Sequence, residues 1–157
     1  MTRVVLLRLL DQAFDHRSWH GTNLRGSIRG LTIEAVSWRP KAGRHNIWET
    51  VVHAAYWKYA ARRRLLGEKR GSFPIEGSNW FARPLKGGKT DQQWRRDVRL
   101  LIDMHLALRQ AVSDVPEEAL RARGRGPFDN LSLVTGIAAH DLYHAGQIQL
   151  LKRLRRQ

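Results

Sequence analysis

Along four stretches of this 157-residue chain, apolar side chains recur every three to four residues. That spacing constrains the fold more than any other feature of the sequence. A period near 3.6 gathers side chains on one helix face, whereas a half-buried strand needs a period of two. Leu6, Leu7, Leu10, Phe14, Trp19, Leu24 and Ile28 predict a helix from about Val4 to Arg29, weakened or bent at Gly21. Asn46 followed by Glu49 has the form of a capping box, so a second helix should run from there to about Leu66, where Gly67 stops it. Trp94, Val98, Leu101, His105, Leu108 and Val112 stripe a third helix, from Thr90 or Asp91 to about Ser113. A fourth starts at Asp129 or Asn130 and runs nearly to the C-terminus, with Val134, Ile137, Leu142, Ile148 and Leu151 as apolar positions. Only short pieces such as residues 31–36 could form a strand. A single all-α domain, a four-helix bundle, is the expected fold.

The connections carry the remaining punctuation. The 67–90 link holds Gly71, Pro74, Gly77, Pro84, Gly87 and Gly88, so no regular element is expected in it. A link of that length inside a compact domain is often functional, and Phe73, Trp80 and Phe81 point to docking on the bundle. Residues 114–128 include Pro116 and a Gly124-Arg125-Gly126-Pro127 turn.

Composition narrows the chemistry. With no cysteine there is no disulfide, thiolate nucleophile or sulfur-ligated metal, so any metal site must use His and carboxylates. Cytoplasmic location is the default expectation. No apolar run is long enough to span a membrane, and the N-terminus, interrupted by Arg8, reads as an amphipathic helix rather than a signal peptide. The formal charge of +14 raises nucleic acid as a partner. The basic residues are scattered over predicted helix exteriors without a nucleic-acid-binding motif, which favours a solvated surface.

Of seven histidines, His140 and His144 stand out. Four residues apart on a helix, they share a face with Cβ atoms about 6 Å apart, and that face continues to Gln147 and includes the apolar Ile137, Ile148 and Leu151. Two buried imidazoles need partners, and one shared metal ion satisfies both. His16 and His20 repeat the spacing, but Gly21 follows at once. For a third ligand, His53 and His105 both lie on apolar stripes, and periodicity does not choose between them. Glu49 is either a partner that fixes the His53 tautomer or simply the N3 residue of the cap. His140-Asp-Leu-Tyr-His144 is an H-E-x-x-H-like motif with Asp141 in place of glutamate, a position for a general base or for an ordinary surface acid.

Two stretches together resemble the DinB-like (YfiT-like) metalloenzymes: Ala139 to Ile148 looks like that family's last helix, and His45 to Trp57, with a histidine followed four residues later by tryptophan, looks like its second. The resemblance spans most of the chain. It implies His53, rather than His105, as the third ligand beside His140 and His144. It further implies an up-down-down-up bundle with the 67–90 link as crossover, a divalent metal (zinc or nickel), and a homodimer acting on a small-molecule substrate. Family activities include thiol-dependent S-transfer and isomerisation, with a low-molecular-weight thiol as cosubstrate, and metal-dependent hydrolysis. Glu49 or Asp141 would assist proton transfer, and Trp57, Trp19 and Trp80 would form the pocket wall. The rival readings are a basic bundle that binds nucleic acid and a family member without catalysis.

Overall fold

A computed structural model describes residues 2–71, 73–85, 87–123 and 127–157; Gly124, Arg125 and Gly126 of the expected turn lie outside them. It contains helices α1 (Thr2–Phe14), α2 (Leu24–Ile28), α3 (Ile33–Ser37), α4 (Ile47–Leu65), α5 (Asp91–Asp114), α6 (Glu117–Arg121) and α7 (Asn130–Leu154). Among the described residues there is no strand, only one isolated bridge between Arg123 and Asp129.

Local chemistry accounts for the helix starts. Asn46 accepts from the Glu49 N–H at 2.7 Å while the Glu49 carboxylate takes the Asn46 N–H, closing the capping box of α4. Thr90 and Asp129 cap α5 and α7 through the N–H groups of Gln93 and Ser132.

The sequence reading departs from the structure in three places, one of them α6, which forms inside the expected 114–128 connection. The first expected helix is two: α1 ends at Phe14, Gly21 turns the chain at φ +95°, and Asn23 caps a new start by accepting from the Gly26 N–H. The periodicity runs through this break because both pieces bury their apolar residues in the bundle. Residues 31–36, a possible strand, instead lead into α3, started by the Thr32 hydroxyl accepting from the Ala35 N–H.

Cross-contacts set the relative directions of the four long helices. Asp11 meets Arg109 and Phe14 meets His105, so α1 and α5 run antiparallel. Trp48 meets Asp97, while Ala61 and Leu65 share an apolar cluster with Leu108 and Val112, so α4 and α5 run the same way. His53 faces His144, and Lys58 faces Asp141, so α7 opposes α4. Two parallel neighbours require a crossover that returns along about 28 Å of helix, and residues 67–90 make it. Its docking is extensive: Phe73 and Phe81 pack with Tyr56, and Arg83 pairs with the buried Asp97, which also accepts from Trp48 Nε1. Leu10, Trp48, Leu101, Leu108 and Ile148 are wholly enclosed; each such side chain contributes about 1.5–3 kcal/mol relative to exposure.

Candidate metal centre

The capped start of α4 sets the rotation of the helix, and His53 lies on its inward face, opposite His140 and His144 on α7. The His140 Nε2 atom is 3.2 Å from His53 Nε2 and 3.0 Å from His144 Nε2. Among the described residues these three form the one cluster able to supply three metal ligands, with ligand atoms within 4.8 Å of one another. Tetrahedral nitrogen ligands at about 2.0–2.1 Å from zinc are spaced by about 3.3 Å, close to what is seen.

The hydrogen bonds on the far side of the rings sharpen the point. His53 Nδ1 lies 2.8 Å from the Asn79 carbonyl oxygen, which can only accept, so this nitrogen carries the proton and Nε2 presents a lone pair. Gln147 gives its amide N–H to the Tyr143 hydroxyl and turns its oxygen to His144 Nδ1 at 2.7 Å, so His144 Nε2 is also a lone pair. Two lone pairs therefore converge on the third ring nitrogen. One imidazole proton cannot satisfy both, whereas a cation can, so the donor set fits a divalent ion.

Electrostatics hold the rings in the neutral, ligating state. Burial pushes the His140 pKa down to about 3, helped by positive charge on His144, His53 and Lys58. Burial likewise lowers His144 to about 4 and depresses His53. All three are neutral at pH 7.

The crossover supplies the rest of the setting. Asn79 sits in the left-handed region at φ +64°, and its side-chain oxygen accepts from Trp57 Nε1 at 3.0 Å. One residue thus orients both a ligand and a wall. Trp80 stacks on His53 at 3.9 Å and on His45 at 3.6 Å. Trp57 presents its edge to His53 and His140. Trp19 is fully exposed in the α1–α2 turn, in a surface depression with Arg8 and Arg17, and makes no ring contact with the cluster. It is therefore not part of the wall: the helix expected to carry it inward ends at Phe14.

The two candidate acids are held elsewhere. Asp141 is completely buried and ion-paired with Lys58, which itself lies over the Phe14 ring. Burial raises its pKa and Lys58 opposes the shift. An acid at this position, about 100° round the helix from His140, faces the core and not a reacting group. Glu49 receives both Arg39 guanidinium nitrogens at 2.5 and 2.7 Å, His45 at 3.2 Å and the Arg83 N–H at 3.3 Å. Burial works to raise its pKa, but these donors hold it below the usual carboxylate range. Its contacts are with the cap and the crossover, so the acceptor of His53 is Asn79 instead. His105 stacks on Phe14 at 3.8 Å, between α1 and α5, and is not in the cluster. His16 is exposed beside Asp15.

Sequence reasoning missed Asn79. Its signal is faint: asparagine tolerates positive φ, and it lies between Gly77 and Trp80. Two cavities flank the histidines. One of about 380 Å³ opens between α4 and α7 beside His140. The other, about 430 Å³, lies beyond Trp80 and Gln147.

The family model described as DinB superfamily matches residues 16–148. Comparison with curated proteins and with solved structures returned no match.

Proposed function

The chain belongs to the DinB superfamily, and from that premise we propose that it is an enzyme that holds a divalent metal ion on His53, His140 and His144 and acts on a small molecule. The observation that carries this reading is the pair of lone pairs, on His53 and His144, aimed at His140 Nε2. Imidazole ligands suit zinc or nickel. When bound, such an ion supplies a Lewis acid that lowers the pKa of a coordinated water or thiol.

The chain's own residues do the remaining work. Asn79 and Gln147 fix two ring tautomers, while Trp80 and Trp57 shield the cluster from bulk water. Three neutral ligands leave the charge of the ion uncompensated, which favours an anionic reactant. Glu49 and Asp141 are both engaged in ion pairs with other residues, so neither is placed as the base that water activation ordinarily uses. That supports thiol-dependent transfer or isomerisation over hydrolysis. Homodimerisation belongs to the same reading.

Metal analysis of the purified protein tests the site. About one equivalent of metal is expected in the parent and in His105→Ala, and loss in His53→Ala, His140→Ala and His144→Ala. Equal metal in all five proteins would overturn it. With cobalt substituted, a visible spectrum that changes on adding a low-molecular-weight thiol supports transfer; a spectrum indifferent to thiols, with ester hydrolysis retained, supports hydrolysis.

A further inference from the structure

The cavity beside His140 has an uneven chemistry. Its walls are apolar, formed by Trp57 and Ala61 of α4, Leu133 and Ile137 of α7, and Phe128. The reacting position would lie at its His140 end. Arg64 also lines it, with its guanidinium 5.7 Å from the Trp57 ring centre. Among the described residues Arg64 has no carboxylate partner, in contrast to Arg62 two positions earlier, which pairs with Glu68. A cation at the C-terminal end of α4 is favoured by the helix dipole alone. That does not explain why this one stacks on Trp57 beside an apolar groove, with no hydrogen bond from its guanidinium among the described residues.

Gly136 gives an independent sign that the space is kept open. It lies within α7 and lines the same groove, where a Cβ built on it would meet nothing within 4 Å. Glycine in a helix interior is unfavourable relative to alanine, and neither close packing nor a left-handed backbone requires it at this position. What its missing side chain leaves is room between α4 and α7.

We infer that this groove binds the non-reacting part of the substrate, and that the substrate is a compact apolar or aromatic molecule carrying a carboxylate or similar anion, which Arg64 takes. The assignment deepens the metal-enzyme reading and rests on it for the location of the reacting end. The cavity has the size of a site for one small ligand. The charge on Arg64 is steadied by the Trp57 face, and its planar fork matches a carboxylate.

The test uses 4-phenylbutanoate and its neutral amide as probes, with dissociation constants measured by calorimetry on the metal-loaded and the chelator-stripped protein. In both forms of the parent the carboxylate should bind at least about tenfold tighter than the amide, as a charge-assisted contact provides. Arg64→Gln should abolish that preference while leaving amide binding within about twofold. Gly136→Leu, which fills the groove from a position with free space, should weaken both probes by at least about tenfold with an unfolding midpoint no lower than the parent's, since leucine favours a helix interior over glycine. Equal binding of the two probes by the parent would overturn the assignment. So would a carboxylate preference that survives Arg64→Gln and vanishes with the metal, since the anion would then sit on the ion. Failure of the metal site itself is read separately, from metal content, because the Arg64 preference is measured in stripped protein.

Discussion

At the scale of single residues, each candidate is defined by what its second polar atom touches. His53 and His144 are oriented by Asn79 and Gln147, and such outer partners typically carry a 10–100-fold share of metal affinity. Replacing Gln147 with leucine removes the acceptor of His144 Nδ1 without touching a ligand. Competition against a chromophoric chelator should show metal affinity lower by about 10–100-fold, with Gln147→Glu restoring it. Unchanged affinity in Gln147→Leu would mean that the His144 tautomer is not set by this bond. Asp141 illustrates the opposite case. Adjacent to a ligand in sequence, it is tied to Lys58 in the core, and its carboxylate serves packing between α4 and α7.

At the scale of elements, α4 and the crossover act as one unit. The Asn46 side chain is fully buried, caps α4 through the Glu49 N–H, and gives its own amide N–H to the Arg83 carbonyl at 2.8 Å. Glu49 in turn binds Arg39 and the Arg83 N–H. Asn46→Ala should therefore cost about 2 kcal/mol, a lost cap plus a weakened buried hydrogen bond, read as a lower urea midpoint with an unchanged slope. Asn46→Asp keeps the acceptor and should lie between alanine and the parent. A loss in Asn46→Ala below about 0.5 kcal/mol, the ordinary range for surface substitutions, would show that the crossover holds α4 without the cap.

At the scale of the whole molecule, the buried polar groups between helices make stability depend on pH. His105 is enclosed between α1 and α5. Burial, then the positive charge of Lys58, Arg109 and His16, lowers its pKa from the ordinary 6.5 to about 2. The folded state thus excludes a proton that the unfolded chain accepts below pH 6.5. The contribution is complete above that pH and is lost as pH falls toward 2, at up to about 1.4 kcal/mol per unit. Urea unfolding at pH 7.5, 6 and 5 should show the parent losing stability on acidification more steeply than His105→Leu, by up to one proton's worth. Parallel profiles would show that His105 does not titrate on unfolding. The basic surface is also partly structural, since Lys152 donates to the Ser27 carbonyl and ties α7 to α2. No helix among the described residues is long and apolar enough to cross a membrane.

What the sequence determined by itself was decided within one or two helical turns. The apolar period marked α4, α5 and α7, the Asn46–Glu49 pattern marked the start of α4, and the spacing of His140 and His144 put two rings on one face. Each depends on residues that are neighbours in the chain, so local geometry suffices. The break after Phe14 escaped because periodicity records burial and not continuity. Apolar spacing left His53 and His105 equal and the family resemblance implied His53; the physical reason that His53 faces the pair is the packing of α4 against α7. Tertiary structure alone decided that Asn79 and Trp80 come back over the site, that Asp141 and Glu49 are spent on ion pairs, and that Arg64 meets the groove beside His140. These outcomes arise from contacts between elements far apart in sequence, where burial, charge and hydrogen bonding are set by how the helices pack.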